Sequence, residues 1–307
     1  MLPSPSTVCG EHVNRYLRKI ALLCVLAPLS FSSFAQSEQG APGDAIVISS
    51  GLEGGGYWLT GNRLKAAGIN AGLNVENRSS TGSLSNLKAL MDPDSPVNIA
   101  FAQADALQFY LQDRPSEAAS IETIRRLGEE CVFIISGSKS GVKNLGDIEN
   151  AKRFHLGIKS PNSGIRVTFD HMTTLVPQLK HVTVRYGDSV EMINDWVHHL
   201  SDIKRAVMVV HAPDAHSEEI DMVIANPDKY RFVKIKDTRL TQSSESGQSA
   251  YTAESVAPGA VSGASRVPTI CVEGLLVSHK DKLSDAVQNR ISSLSDEQWQ
   301  KIQSESD

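Results

Sequence analysis

Residues 97–112 read VNIAFAQADALQFYLQ. Val97 to Ala102 is an apolar run of the length of a buried strand, and Ala104 to Gln112 follows at once as a helix. Gln103 and Asp105 fall at the switch from one to the other. A strand that turns directly into a helix, with polar residues at the turn, is the repeating unit of an α/β sheet.

Working outward, the pattern recurs. Upstream, Ala45 to Ser49 is a short β-branched run, and Gly51 to Gly56 is a glycine-rich turn. Trp58 to Ala71 carries Leu59, Leu64, Ala67 and Ala71 at helical spacing. Leu73 to Asn77 reads as a strand, and Ser83 is placed to cap a helix bearing Leu84, Leu87, Leu90 and Met91. Downstream, strands are expected at Cys131 to Ser136, Phe154 to Ile158, His181 to Arg185, Ala206 to Val210 and Arg231 to Ile235. Helices are expected at Asn144 to Asn150, Ile165 to Leu175, Ser189 to Leu200 and Ala215 to Ala225. This order predicts mainly parallel sheets with helices on their faces.

One region breaks the rhythm. Thr241 to Ser265 is rich in Ser, Gly, Ala and Pro with little apolar periodicity, and reads as a long surface loop. Pro268 to Ser278 is a strong strand. An amphipathic helix or two follow, with Leu283, Val287, Ile291, Leu294, Trp299 and Ile302.

At the other end, Arg15, Arg18 and Lys19 precede an apolar run from Ile20 to Leu29, and Ser33 and Ala35 follow it at the spacing of a cleavage site. This is the pattern of a secretory signal cut after Ala35. The run is shorter than the roughly 20 apolar residues of a spanning helix. The expected product is periplasmic, soluble and not embedded in the membrane. The chain has 307 residues, 40% hydrophobic and 21% charged, with net charge −5. That balance gives no electrostatic footprint for nucleic acid. Only Cys131 and Cys271 remain after removal of the signal, and in an oxidising compartment they form one disulfide or stay as two buried thiols.

Chemistry-bearing residues gather at strand-to-helix turns: Gly51 to Tyr57, Ser79 to Ser83 with Asn86, Gln103 with Asp105, and Ser160 to Gly164. In parallel α/β sheets, ligands sit at the carboxyl ends of strands. There the first N–H groups of helices lack partners and the dipole is positive. Gly54-Gly55-Gly56 is neither a phosphate-binding loop nor a dinucleotide fingerprint, so no cofactor is expected. His211 and His216 are five apart, which does not set two imidazoles on one helix face, so no metal site is expected either. The adjacent His198 and His199 point apart on a helix. No nucleophile elbow appears, and no catalytic residue is assigned.

Three blocks in order carry a resemblance. They are Gly55-Gly56-Tyr57 with Gly61, Ser80-Thr81-Gly82-Ser83 with Asn86-Leu87, and Ala102-Gln103-Ala104-Asp105. Together with Gly141 to Ile148, Gly157, Ser163-Gly164 and Val267-Pro268-Thr269, they resemble the TAXI family. This family comprises solute-binding subunits of tripartite ATP-independent periplasmic (TRAP) transporters. The resemblance spans about residues 45 to 280. It implies an α/β, two-lobed periplasmic-binding-protein fold of the second type, with the ligand cleft between the lobes. Lobe one would comprise 44–133 and 268–307, and lobe two 134–267 with the loop 241–265. The two crossings would run side by side, which would bring Cys131 and Cys271 together.

The resemblance further implies capture of a small polar solute by hinge closure and delivery to a TRAP membrane permease. The solute would be an organic acid or amino acid, glutamate-like or a dicarboxylate. Lobe one would present Gly55, Gly56, Tyr57, Thr81, Gly82, Ser83, Asn86, Gln103 and Asp105. Lobe two would close with Ser160, Asn162, Ser163, Gly164, Arg166 and Arg185. The competing readings are a periplasmic sensor that reports to a membrane kinase and a secreted enzyme that uses the cleft.

Overall fold

The computed structural model describes residues 45–197, 202–242, 249–260, 265–294, 298–299 and 301–302. The expected signal and the His198-His199 pair lie outside them. The described residues form one compact unit.

The first half is a three-stranded parallel arrangement. β1 (Ala45–Ser49) pairs with β2 (Asn74–Arg78) on one side and β3 (Ile99–Gln103) on the other. The crossovers are α1 (Gly56–Asn70) and α2 (Ser83–Met91), and α3 (Ala104–Gln112) follows β3. All five residues of β3 are buried, as expected for a strand covered on both faces. One face packs Ile46, Ile48 and Phe101 against α1. The other packs Val47, Ala100 and Ala102 against Leu87 and Leu90 of α2.

The second half contains α4 (Leu145–Glu149), β5 (Phe154–Ile158), α5 (Gly164–Leu175), β6 (Thr183–Tyr186), α6 (Ser189–Asp195), β7 (Lys204–His211), α7 (Glu218–Ala225) and β8 (Tyr230–Val233). β5 lies parallel to both β6 and β7. The helix starts are fixed by their own side chains. Asn144 and Asp147 form a capping box on α4, and Ser163, Asp188 and Ser217 cap α5, α6 and α7.

Two long strands join the halves: β4 (Ile121–Gly137) and β10 (Val267–His279). They pair antiparallel, and the sheet runs β2-β1-β3-β10-β4-β7-β5-β6 without a break. β10 is antiparallel to β3, and β4 to β7 and β8. The sheet is therefore mixed, not mainly parallel. The reason is the crossing itself, since a strand that returns from the second half must oppose those it rejoins.

The expected strand at Cys131 is also longer than its apolar core. Residues 121–130 are mostly exposed or half-exposed, so their charges masked a strand held by backbone pairing with β10 and by Ile124 and Leu127 packed on the first core. The pairing register shifts at Gly274, opposite Gly128, whose φ of 100° suits glycine. Bulges of this kind bend a strand and increase its twist.

The expected loop 241–265 is corrected in part. It contains β9 (Thr252–Val256), which pairs with Val267–Cys271 of β10, and Tyr251 just before it is 2% exposed. A single buried aromatic and the ladder to β10 order a stretch whose side chains carry almost no apolar signal. α8 (Asp285–Ser292) then sends Val287 and Ile291 into the first core, and Trp299 and Ile302 are buried there too.

Cys131 and Cys271 are directly opposite in the β4–β10 register and form a disulfide, with Cα atoms 3.9 Å apart. The bridge closes a loop with a sequence separation of 140 residues and sits where the two crossing strands meet. In the chain-entropy account, a closure of that size restricts the unfolded state by several kcal/mol, and loss of a native bridge costs about 2–5 kcal/mol. The double substitution of Cys131→Ser with Cys271→Ser is expected to lower the denaturant midpoint by a corresponding amount. Adding reductant to the parent protein should give the same shift in an equilibrium urea titration.

Candidate functional site

Three helix starts converge where the halves meet. Gly82 is the N-cap of α2, Gln103 that of α3 and Ser163 that of α5. Gly82 adopts a φ of 124°, and a Cβ on it would lie 2.9 Å from the Ser163 Cα. A Cβ on Gly164 would lie 1.6 Å from Gln103 Oε1 and 2.7 Å from Ser83 Oγ. Glycine at 82 lets the two backbones approach this closely, and glycine at 164 makes room for the Gln103 and Ser83 side chains. Within the contact, the Gln103 N–H donates to Ser83 Oγ at 3.2 Å. Ser163 Oγ donates to the Ser160 carbonyl at 2.7 Å and accepts from the Arg166 N–H. Thr81 and Asn162, the neighbours of these caps, are exposed.

Gln103 is 3% exposed, and its Nε2 is buried without a hydrogen-bond partner. A buried orphan donor is rare and calls for an explanation. Here it lies where three positive helix ends meet.

Asp105, 1% exposed, ties α3 to the second half. It accepts from Thr168 Oγ1 of α5 at 2.6 Å, from the Tyr251 hydroxyl at 2.9 Å and from the Ala106 N–H at 2.7 Å. Burial raises its pKa, and these three donors oppose the rise. The Tyr251 phenol is pushed well above its ordinary range, by burial first and then by Asp105. The His171 ring lies tilted beside that of Tyr251, with centroids 5.3 Å apart, and burial lowers its pKa.

Tyr57, in the first turn of α1, stacks on Phe101 with ring centroids 5.1 Å apart. The Gly55 N–H closes the preceding turn by donating to the Leu52 carbonyl, and Gly56 is exposed. The Tyr57 hydroxyl is buried beside the Glu130 carboxyl. The two interact electrostatically, but the contact falls short of a well-formed hydrogen bond. Burial pushes the Glu130 carboxyl up to about 7, with Asp105 adding to the rise and Tyr57 opposing it. Glu130 also keeps some accessible surface.

Three expected residues stand elsewhere. Asn86 is 0% exposed and holds strand ends together. It donates to the carbonyls of Ser50 and Phe101 and accepts from Ser49 Oγ, so it positions β1 and β3 beneath the turns. Arg166 turns outward, pairing with Asp170 at 2.7 Å and donating to the Tyr186 hydroxyl at 2.8 Å. Arg185 is exposed on β6 in register with Gly157, on the sheet face covered by Met192 and Trp196 of the α6 region. That is opposite the face packed by α5, and there Arg185 helps depress the pKa of His155, after burial.

Glu130, Thr168 and Tyr251 carried no usable signal. Glu130 follows a second glutamate in a charged stretch that reads as surface, Thr168 is one polar residue inside a helix, and Tyr251 lies in the Ser-rich region. Among the described residues no group of His, Cys, Asp and Glu is arranged to hold a metal ion. His211 and His216 each pair with a separate carboxylate, Glu219 and Asp221. No described helix is long and apolar enough to cross a membrane.

A curled mixed sheet in two halves, crossed twice by the chain, with helix starts facing each other across the crossing, is the architecture of the periplasmic binding proteins. A solved structure described as a periplasmic transporter shares it over 86% of this chain and 84% of that one, with 11% identity and a TM-score of 0.52. The periplasmic VFT2 domain of Bordetella pertussis BvgS matches over 86% and 94%, with 11% identity and a TM-score of 0.46. YhfZ from Shigella flexneri matches over 86% and 95%, with 13% identity and a TM-score of 0.46. The chain belongs to the NMT1-like family, whose model matches residues 48–304. No curated protein matches it.

A raised carboxyl pKa has a sign that can be tested. Folding strengthens proton binding at Glu130, so its contribution favours the folded state at low pH and is lost as pH rises through about 7. Glu130→Gln cannot ionise. Relative to the parent protein, this variant is expected to gain stability between pH 5 and pH 8, by about 2 kcal/mol. Urea denaturation at the two pH values measures it, and a gap that does not grow with pH contradicts the burial of this charge.

Proposed function

We propose that the protein is the exported solute-binding subunit of a TRAP-type transporter of the TAXI group, released into the periplasm by cleavage after Ala35. In this reading lobe one is 44–133 with 268–307 and lobe two is 134–267, and they close on one small organic acid or amino acid. The loaded, closed form then docks on a membrane permease. The observation that carries the reading is the meeting of the α2, α3 and α5 starts around the unpaired Gln103 amide.

Three helix N-termini facing one point repel one another unless something negative lies between them. A carboxylate answers both needs, because it lowers the repulsion and accepts from the orphan amide. The ligand set is then Gly82, Ser83, Gln103, Ser163 and Gly164, with Tyr57 at the side and Thr81, Ser160 and Asn162 at the rim. Asn86 acts beneath this set as a positioning residue. Asp105, bonded to Thr168 and Tyr251, acts as the latch of the closed form.

The hinge is the β4–β10 pair. Ligand entry requires the α5 start to leave α2 and α3, which breaks the Asp105 bonds and wets Gln103. Closure restores them, so solute affinity and lobe closure are one equilibrium.

Two measurements test the reading. In thermal-shift screening against organic acids, amino acids, inorganic oxyanions and sugars, an acid or amino acid is expected to raise the melting temperature, because it binds only the folded state. A shift by a sugar alone would refute the ligand class. Gly164→Ala puts a methyl group into the Gln103 side chain and is expected to hold the lobes apart. Small-angle scattering should show a larger radius of gyration with unchanged circular dichroism, and solute affinity should fall at least about tenfold.

A further inference from the structure

Glu130 stands out because nothing in the fold requires it. It lies on β4 opposite Val272 of β10, one residue before the disulfide. Its carboxyl reaches over Gly274, where a Cβ would come within 3.1 Å of Oε1. Gly274 in turn pairs with Gln103 on β3. Three adjacent strands thus carry Gln103, the bare backbone of Gly274 and the Glu130 carboxyl side by side, and α1 brings the Tyr57 hydroxyl to the same place.

The groups that face this carboxyl are Tyr57 from α1 and Asp105 from α3, and beyond Asp105 stand Tyr251 and His171. None is a lysine or arginine, and among the described residues Glu130 has no cationic partner. Asp105 has three donors of its own, whereas Glu130 has only the imperfect contact with Tyr57. An enclosed carboxylate left without a donor costs stability unless a bound group supplies one.

We infer that Glu130 is the residue that decides which acid the site accepts. Its carboxylate takes the amino group of the solute while the solute carboxylate meets the helix starts, so the ligand is an amino acid and not the plain acid of the same skeleton. This inference rests on the solute-binding reading above. The site is then split in charge, with donors at Gln103 and the helix N-termini and an acceptor at Glu130. Gly274 leaves the space for the ligand's amino carbon.

The test compares each common L-amino acid with the acid lacking its amino group, for example L-glutamate with glutarate and L-aspartate with succinate. It uses calorimetric titration of the oxidised, purified protein. One amino acid is expected to bind at least about tenfold more tightly than its deaminated counterpart. Glu130→Gln should abolish that preference by weakening the amino acid and sparing the plain acid. Because the variant is expected to be the more stable protein at pH 8, loss of preference cannot be ascribed to unfolding.

A second readout needs no variant. Affinity for the amino acid should rise from pH 5.5 to pH 8 as Glu130 ionises, while affinity for the plain acid falls or stays level. Equal binding of both partners, or a preference that survives Glu130→Gln, overturns the inference and leaves solute binding standing. If no amino acid or organic acid binds at all, both readings fall.

Discussion

The backbone ladder between β4 and β10 is the constraint on which everything else rests. It is the place where the two halves become one sheet, and it sets their relative twist through the bulge at Gly128 and Gly274. The disulfide pins this ladder at its end, at the terminal pair Cys131–Cys271. Because the pin joins two strands that both cross, it limits how far they can slide or peel while leaving bending and twisting outside the pinned step free. Motion of the halves is then confined to a hinge, with the register kept.

Several groups at the meeting of the halves are poorly satisfied. Gln103 Nε2 and the Tyr57 hydroxyl are buried without partners, and Glu130 is an enclosed carboxyl with no cation. Elsewhere the picture is mixed: Asn98 receives the Val47 N–H and donates to Ala45, and Ser136 donates to Val142, but Asn77 Oδ1, Arg231 Nε and Trp299 Nε1 are also buried without partners. What sets this place apart is that an orphan amide, an orphan phenol and an enclosed carboxyl lie together on neighbouring elements.

Much of this was legible in the sequence. The βα rhythm, the boundaries of β1, β5 and α3, and the polar turns after β3 and β5 all follow from periodicity, whereas Ser83, expected to cap α2, is its first residue and Gly82 is the N-cap without a side-chain bond. What could not be read came from tertiary pairing. The charged half of β4 is a strand only because β10 lies beside it. β9 exists because the edge of β10 was open and Tyr251 found a buried partner in Asp105. In the site, the close approach of Gly82 and Gly164 was marked by glycine at both positions, whereas Glu130 gained its character from being enclosed. A glutamate in Gly128-Glu129-Glu130 looks like surface until three strands and a helix gather around it. Arg166 illustrates the converse, since the helical spacing that brings it near the α5 start also gives it Asp170 one turn away.

The place of β10 in chain order has a further consequence. It is the last strand along the described sequence, yet it lies at the centre of the sheet, between β3 and β4. Neither half can acquire its final edge, nor can the thiols meet, until some 140 residues beyond Cys131 have been made. Such long-range closure slows folding. A nascent chain of this design therefore cannot complete its sheet until most of it has been synthesised.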